Sequence, residues 1–277
     1  GAVAAGPAFA QAAPGAPSPS ELPADAATRD TLSIGAGVGV VPSYEGSDDY
    51  ILVPAAVIRG RVSGFNFTTL GTRLTVDLLR EQSASGLDLQ FGPALNLTFN
   101  RTARITDLQV RALGRRDTAF EAGAHAGISK TGVITSAYDT LGVSVTYLQD
   151  VTGVHNSYTI TPTLSYGTPL SRRAYVGLSG SATFAGGGYA RTYFAVDPAG
   201  AARSGLPLFD NPRGGLKNFN LSALATYALS GDLLRGWQVA GTASYSRLQG
   251  DFARSPVTRI AGSADQFYGG IGIGYTF

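Results

Sequence analysis

A two-residue alternation is the feature that most constrains the fold of this chain. It begins at Thr31 and continues in segments to Phe277, with large apolar residues at one parity and small or polar residues at the other. Successive side chains of a β-strand point to opposite faces, so this period predicts strands that each present one apolar face. The apolar positions of one segment are Leu87, Leu89, Phe91, Leu95, Leu97 and Phe99.

The length and chemistry of these segments favour a membrane barrel over a soluble sandwich. The segments are about 10–13 residues long, which a tilted transmembrane strand requires, whereas soluble strands are about 5–6 residues long. Aromatic residues such as Trp237 and Tyr245 stand near segment ends, as in the interfacial girdles of a barrel. Charged residues make up only 14% of the chain, against roughly a quarter of a soluble domain. The prediction is an all-β, transmembrane antiparallel β-barrel.

The number of segments predicts about twelve strands, or ten if 63–79 folds differently. With the start of the barrel in the periplasm, the three longest connections all fall on the outside, as in bacterial barrels. We therefore expect short periplasmic turns and longer extracellular loops. The predicted strands lie near 32–41, 50–59, 63–69, 72–79, 87–99, 118–129, 139–149, 156–167, 173–185, 217–229, 236–248 and 265–277.

The stretch that precedes the alternation has a different composition. Residues 1–10 end in an A-x-A pattern typical of signal-peptide cleavage, so we interpret them as a residual signal-peptide segment. A flexible Ala-rich tail is the alternative. Residues 11–30 are rich in Pro, Ala and Ser without a period and are expected to form a disordered periplasmic leader. Residues 31–277 are the predicted barrel, expected in a Gram-negative outer membrane after export through a cleaved signal peptide.

Three stretches resemble the MipA/OmpV family of outer-membrane proteins. They are VGVVPSYEGSDDYILVPAAVIRGR at 38–61, YFAVDPAGAARSGLPLFDNPRGGLKNFNLSALATYALSG at 193–231 and YSRLQGDFARSPVTRIAGSADQFYGGIGIGYTF at 245–277. The similarity covers essentially everything after residue 30. It implies an outer-membrane barrel with no shared catalytic activity. One member of the family is a scaffold that joins a lytic murein transglycosylase to a murein synthase, which makes these enzymes the expected partners.

The last predicted strand carries a second resemblance. Its alternating residues Ile273, Tyr275 and Phe277 resemble the C-terminal assembly signal of bacterial outer-membrane proteins. This resemblance implies the barrel assembly machinery as a partner, and the finished barrel is expected to contact lipid and lipopolysaccharide. Glycines of the first and last strands meet at closure, and we interpret them as permitting curvature rather than leaving space. They are Gly35, Gly37, Gly39, Gly270, Gly272 and Gly274.

Alternation also predicts which polar side chains face the lumen. Five ionisable residues fall on inward positions of three sequential strands. Such charges either set the selectivity of a narrow channel for ions or small solutes, or pair with one another as a polar plug. We favour the plug. The predicted cluster comprises Arg73, Asp77, Asp88, Glu121 and His125.

Two predicted extracellular loops contain further candidate sites. In PSYEGSDDY, the carboxylates of Glu45, Asp48 and Asp49 are a weak candidate for a divalent cation, and a polar hairpin loop is the favoured interpretation. The loop 186–216 is the longest. Its Asp-Pro pair predicts a helix N-terminus, and the helix is expected to end at the Gly that follows AGAARS. The apolar stretch that comes next is expected to fold back as a lid over the mouth rather than contact a partner. It comprises Leu206, Pro207, Leu208 and Phe209.

Composition excludes several classes of function. Cys is absent, only His125 and His155 are available for acid-base or metal chemistry, and no G-x-S-x-G motif occurs. We expect no enzyme and no cofactor. The net charge of +2 gives no indication of a nucleic-acid partner. Two functional hypotheses remain: a structural or scaffolding role linked to murein machinery, and a narrow channel for small solutes or ions.

Overall fold

Twelve antiparallel strands form one closed sheet in the computed structural model, which describes residues 31–63, 65–79 and 86–277. Each strand pairs with its neighbour in the chain, and β1 pairs with β12, which confirms the predicted twelve-stranded barrel. The predicted segments 1–10 and 11–30 lie outside the described residues. The strands are β1 Thr31–Pro42, β2 Tyr50–Val62, β3 Phe65–Leu70, β4 Arg73–Asp77, β5 Leu87–Thr98, β6 Ala119–Thr131, β7 Thr140–Asp150, β8 Tyr158–Pro169, β9 Ala174–Ala185, β10 Gly215–Ala228, β11 Gly236–Leu248 and β12 Asp265–Thr276.

The alternation in sequence becomes a lipid-facing surface and a small, polar lumen. Outward Leu164 and Leu221 are 53% and 61% exposed, whereas inward Ser222 is 2% exposed. Because lipid cannot hydrogen-bond the backbone, the wall must satisfy its own polar groups, and the first strand, β1, therefore pairs with the last, β12.

The seam between β1 and β12 depends on glycine. Gly35, Gly37 and Gly39 lie opposite Gly274, Gly272 and Gly270 in the register. A Cβ on Gly37 would collide with the carbonyl oxygen of Ile271 and with the backbone of Gly272. The two strands therefore approach more closely there than side chains allow, which is the close-packing role of a glycine in a strand.

The two ends of the barrel differ strongly. The periplasmic connections after β6, β8 and β10 are short turns, whereas the extracellular connections include five short helices. None of the helices in the described part of the chain is long and apolar enough to cross a membrane. The helices are α1 Leu108–Ala112, α2 Gly187–Phe194, α3 Pro198–Ser204, α4 Gly250–Arg254 and α5 Pro256–Arg259.

The hairpin of β3 and β4 is much shorter than its neighbours, at 6 and 5 residues. It pairs with only a small part of the strands that flank it: β2 joins β3 over Arg59–Val62, and β4 joins β5 over Arg73–Thr75. The two short segments predicted at 63–69 and 72–79 are therefore real strands. They fill only part of the wall between β2 and β5.

Candidate functional site

Four extracellular loops share one apolar core at the external mouth, and we call this assembly the cap. Tyr44 comes from the β1–β2 loop, Val110 from α1, Val196 from the β9–β10 loop and Val257 from α5, and none of them is more than 1% exposed. Loops whose side chains pack on one another lose the freedom that open loops retain. The complete core is Tyr44, Ile105, Val110, Leu113, Val196, Leu206, Val257 and Ala261, with Ala201 and Phe209 at its edge.

The helix expected in the longest loop is confirmed as α3. The Asp197 side chain accepts a hydrogen bond from Gly200 N, and Gly205 ends the helix at φ 72°. This is the Asp N-cap, Pro N1 and left-handed Gly arrangement that stabilises short helices.

The four predicted lid residues divide between two environments. Leu206 is 2% exposed inside the cap core, and Phe209 packs at its edge and pairs its backbone with Val196. Pro207 is exposed and Leu208 is 56% exposed. A lid role for this stretch stays a prediction, now centred on Leu206 and Phe209.

A second cluster attaches the cap to the barrel wall. Helix α2 buries Tyr189, Tyr193 and Phe194 against strand residue Leu248 and against Phe252 of α4. The Phe194 and Phe252 rings meet edge to face at 5.3 Å between centroids, a favoured aromatic geometry. The mouth is thus covered by helices packed directly on strand ends.

Arg101 occupies the interior of the cap and is only 1% exposed. Its guanidinium donates to the carbonyl oxygens of Tyr193, at 2.9 Å, and Gly114, at 3.2 Å, so it joins two loops. Burial, followed by the charge of Arg116, lowers the pKa of Arg101 to about 9. The residue holds a left-handed backbone at φ 60°, which is unusual for a residue other than glycine.

A buried ion pair joins the cap to the wall at β10. Lys217 donates to Glu45 at 2.5 Å between Nζ and Oε1, and the two side chains are 6% and 9% exposed. Tyr189 donates to Glu45 Oε2 at 2.7 Å, and Asn100 Oδ1 accepts from Glu45 N at 3.0 Å. Burial, followed by the negative charge of Glu45, raises the pKa of Tyr189 well above its ordinary value. Tyr189 therefore remains a donor across the physiological pH range.

The local cause of this ion pair is a β-bulge. The register of β10 against β9 shifts between Leu216 and Asn218, which leaves Lys217 as an extra residue. A bulge re-aims side chains. Here both Lys217 and Asn218 are buried, although strict alternation would turn Lys217 toward lipid.

A second buried pair links Glu121 on β6 to His155 in the β7–β8 loop. The His155 Nε2 and Glu121 Oε1 atoms are 3.1 Å apart, and both residues are 2% exposed. Glu121 Oε2 also accepts from Asn96 at 2.6 Å and from Thr98 at 3.1 Å. Asp150 accepts from the backbone nitrogen of His155 at 2.7 Å, which fixes the loop that carries the imidazole.

The predicted lumen cluster is brought together only in part. His125 Nδ1 lies 3.2 Å from Thr146 Oγ1, and its ring interacts electrostatically with Arg73 and Asp77. Asp88 accepts from Gln90 at 3.0 Å. Glu121 belongs instead to the pair described above, although Arg73 still interacts electrostatically with it. Both pore selectivity and a polar plug therefore stay predictions for this cluster.

The weak cation candidate does not form a site in this structure. Glu45 is engaged by Lys217 and Tyr189, while Asp48 is exposed. Within 31–63, 65–79 and 86–277, no three His, Cys, Asp or Glu side chains gather in a way that could hold a metal ion.

Many inward side chains of β8 to β11 below the cap are buried, although Thr163, Ser165, Thr226 and Thr242 are partly exposed. Asn218 donates to Ser246 at 2.7 Å, and Ser244 donates to Ser222 at 2.7 Å, so polar groups of the neighbouring strands β10 and β11 bond to one another on the inner face of the wall. A water-filled pore would leave such groups exposed. None of the following is more than 4% exposed: Thr161, Ser179, Thr183, Asn218, Asn220, Ser222 and Ser246.

The residues of the predicted assembly signal lie on the lipid face of the last strand. Ile273 and Phe277 are 49% and 63% exposed, and the Tyr275 and Phe277 rings are 4.8 Å apart. Tyr275 also meets the single Trp, Trp237, edge to face at 5.3 Å. Their role in assembly stays a prediction.

The buried partners of Glu45 and Glu121 were not predicted from the sequence. These partners are Lys217 and Tyr189 for Glu45, and His155 for Glu121. The bulge hides Lys217 from any period-based prediction. For His155, the one available signal in the sequence is Asp150. This Asp ends a strand five residues before His155 and precedes a short polar loop. For Tyr189, no sequence signal separates it from the other aromatic residues.

A profile described as "MltA-interacting protein MipA" matches residues 34–277. No curated protein matches the chain. Among solved structures, a COG4313 outer membrane channel from Pseudomonas putida F1 has 13% identity and a TM-score of 0.46, with coverage of 94% of this chain and 99% of that one. OmpT of Vibrio cholerae has 6% identity and a TM-score of 0.40, with coverage of 90% and 97%. At these values the likeness carries no information about a ligand or partner.

Proposed function

Because this chain belongs to the MipA family and forms an outer-membrane β-barrel, we propose that it is a structural scaffold for murein-synthesising and murein-degrading enzymes. The family description names an interaction with MltA, and the resemblance stated above implies a lytic murein transglycosylase as a partner. The scaffold holds such an enzyme, together with a murein synthase, at the inner surface of the outer membrane. Catalysis is left to the partners.

The observation that carries the proposal is the closed mouth. The cap has its own apolar core, it is tied to the wall by the Glu45–Lys217 pair, and many inward groups beneath it are buried. Such an arrangement favours a rigid platform over a channel, because a channel must present a continuous polar path to water.

The periplasmic end offers a surface suited to a protein partner. Ile134 and Tyr138 in the β6–β7 turn are 64% and 52% exposed, and Leu170 in the β8–β9 turn is 65% exposed. Exposed apolar side chains rimmed by polar residues are typical of protein interaction sites. This end faces the compartment that contains murein, so we assign the docking of the enzymes to it.

Capture by the purified barrel tests the scaffold. The barrel is immobilised in lipid nanodiscs and presented with a soluble lytic transglycosylase and, separately, a murein synthase domain. We expect retention that falls when Ile134 and Leu170 are both changed to Ser. Leu108→Ser and Leu208→Ser, which alter exposed apolar residues at the opposite end, are matched controls that should retain the enzyme. Retention no greater than that of an unrelated barrel would refute the scaffold.

A further inference from the structure

A partly open cavity of about 210 Å³ lies against the glycine seam of the barrel. The seam forms one wall of it, through Gly37 and Gly272 and their neighbours. Strands β2, β10 and β11 contribute the facing residues, which include Val57, Leu224 and Ala240. The glycines that allow β1 and β12 to approach closely thus also leave space on the lumen side.

The lining of this cavity is largely apolar but contains one strong positive charge. Arg59 points into the lumen from β2, interacts electrostatically with Tyr175 and lines the cavity beside Val57 and Ala55. Apolar cavities of about 150 Å³ stay dry and bind a molecule such as benzene, whereas drug-sized ligands require about 300 Å³ or more. The space therefore fits a small hydrocarbon body, and the guanidinium favours an acidic group at one end of it.

Parts of the protein lie over both ends of the barrel that contains this cavity. The cap covers the external mouth. On the periplasmic side, Leu233 is 3% exposed and packs with Tyr175 and Leu224, so the β10–β11 turn folds under the lumen. Gln238 Nε2 donates to the Leu233 carbonyl oxygen at 2.8 Å and holds that turn in place.

The short β3–β4 hairpin leaves a notch in the wall beside this cavity. Beyond Arg59–Val62, toward the outside, the outer part of β2 has no strand neighbour on its β3 side among the described residues. Pro54 lies in this stretch and lacks an N–H, and Arg104 donates to the Leu52 carbonyl oxygen at 3.1 Å. The hairpin turn at Gly71 and the β2 residue Ala56 both line the cavity. The notch and the cavity are thus adjacent.

We propose that the cavity binds a small amphiphile with a hydrocarbon body and an acidic head, and that this ligand enters from the bilayer through the notch beside β2. The hydrocarbon occupies the space between the glycine seam and Leu224, and the acidic head meets Arg59. A free medium-chain fatty acid and the acyl chain of a lipid share this chemistry. This site is independent of the scaffold.

Native mass spectrometry with decanoate tests the site, because the mass of the bound species separates the added fatty acid from a co-purified phospholipid. We expect one decanoate per barrel. Thr242→Phe fills the cavity from β11 and should weaken binding about tenfold or more. Ala243→Phe adds the same ring at the next position, on the lipid face, and should bind as the wild type does. Equal binding by both variants would overturn the site.

Two further variants test the filling of the cavity and the role of Arg59 separately. Ala240→Leu is a smaller filling change for the case in which Thr242→Phe does not assemble, and it should also weaken binding. Arg59→Gln should weaken decanoate about tenfold, as the loss of a charge-assisted hydrogen bond does, and leave decanol unchanged. Decanol and decanoate binding equally to the wild type would contradict the role of Arg59.

A matched pair of variants tests entry of the ligand through the notch. Ala56 and Ala36 are register partners on β2 and β1, and both are exposed to lipid and line the cavity, but only Ala56 borders the notch. Ala56→Trp should slow the loading of decanoate in nanodiscs, and Ala36→Trp should not. Identical loading rates in the two variants would contradict entry through the notch.

Discussion

Lys217 on β10 contacts Glu45 in the β1–β2 loop, with 2.5 Å between Nζ and Oε1, although 172 positions separate the two residues in the chain. One lies on a strand of the wall and the other in a loop of the cap. The pair therefore joins the two parts of the molecule whose relative position decides whether the mouth is open.

Removing one partner of this pair should destabilise the barrel strongly. Lys217→Met leaves Glu45 as a buried, uncompensated charge, and a loss of about 3–5 kcal/mol in the free energy of unfolding is expected. The double variant with Glu45→Gln should recover most of that loss. Urea unfolding in lipid vesicles measures both values.

An exposed ion pair supplies the control for this measurement. Arg172 lies 3.8 Å from Asp232 and its side chain is 91% exposed. Arg172→Gln should change the free energy of unfolding by about 0–1 kcal/mol. If Lys217→Met has no larger effect than Arg172→Gln, the buried pair does not hold the cap.

A charged side chain on the lipid face should destabilise the barrel more, the nearer it lies to the midplane of the bilayer. Leu164 is 53% exposed on β8. Leu164→Arg should destabilise the barrel folded in bilayers by about 2–4 kcal/mol if the site lies near the midplane. Ala202→Arg adds the same charge on an exposed position of α3 and should be close to neutral. Equal effects of the two variants would argue against membrane burial of β8.

Asp139 should give the barrel a defined acid sensitivity. Burial alone would raise its pKa, but the backbone N–H groups of Thr135, Val133 and Ile134 outweigh burial and hold the pKa of Asp139 well below its ordinary value. A carboxylate with a lowered pKa stabilises the fold fully above its unfolded pKa of about 3.9, and this contribution is lost as the pH falls further.

Comparison with Asp139→Asn isolates this contribution from other carboxylates. The difference in unfolding midpoint between the wild type and Asp139→Asn should be constant between about pH 5 and pH 7 and shrink below about pH 4. A difference that does not depend on pH would show that the charge of Asp139 contributes nothing to the turn.

Phe277 should influence assembly more than final stability. Phe277→Ser is expected to reduce the amount of heat-modifiable barrel in the outer membrane of an expressing cell, because it removes the last aromatic of the predicted assembly signal. Phe267→Ser removes another lipid-facing ring from β12, which is 57% exposed, and is the control. Similar assembly of both variants would contradict a special role for Phe277.

Much of the fold follows from sequence because lipid imposes one rule on every strand. Outward Leu164 and inward Ser222 obey the same alternation, since one face of the wall meets hydrocarbon throughout. The helix at Pro198–Ser204 was equally predictable, because the chemistry of its Asp N-cap and its terminal Gly205 is local.

The buried contacts of Glu45 and Glu121 could not be predicted from the sequence, for two physical reasons. The bulge at Lys217 breaks the period on which every inward assignment depends. Glu45 and Tyr189 come from loops whose packing is decided by contacts distant in sequence. The predicted lumen cluster therefore included Glu121 but not its partner His155, which lies in the β7–β8 loop.

The closed lumen is tested most directly by single-channel recording of the wild-type barrel in planar bilayers, with insertion verified independently. The cap and the buried polar groups beneath it predict no steady, discrete conductance. Reproducible openings of uniform size in the wild type would contradict the closed lumen and, with it, a purely structural role.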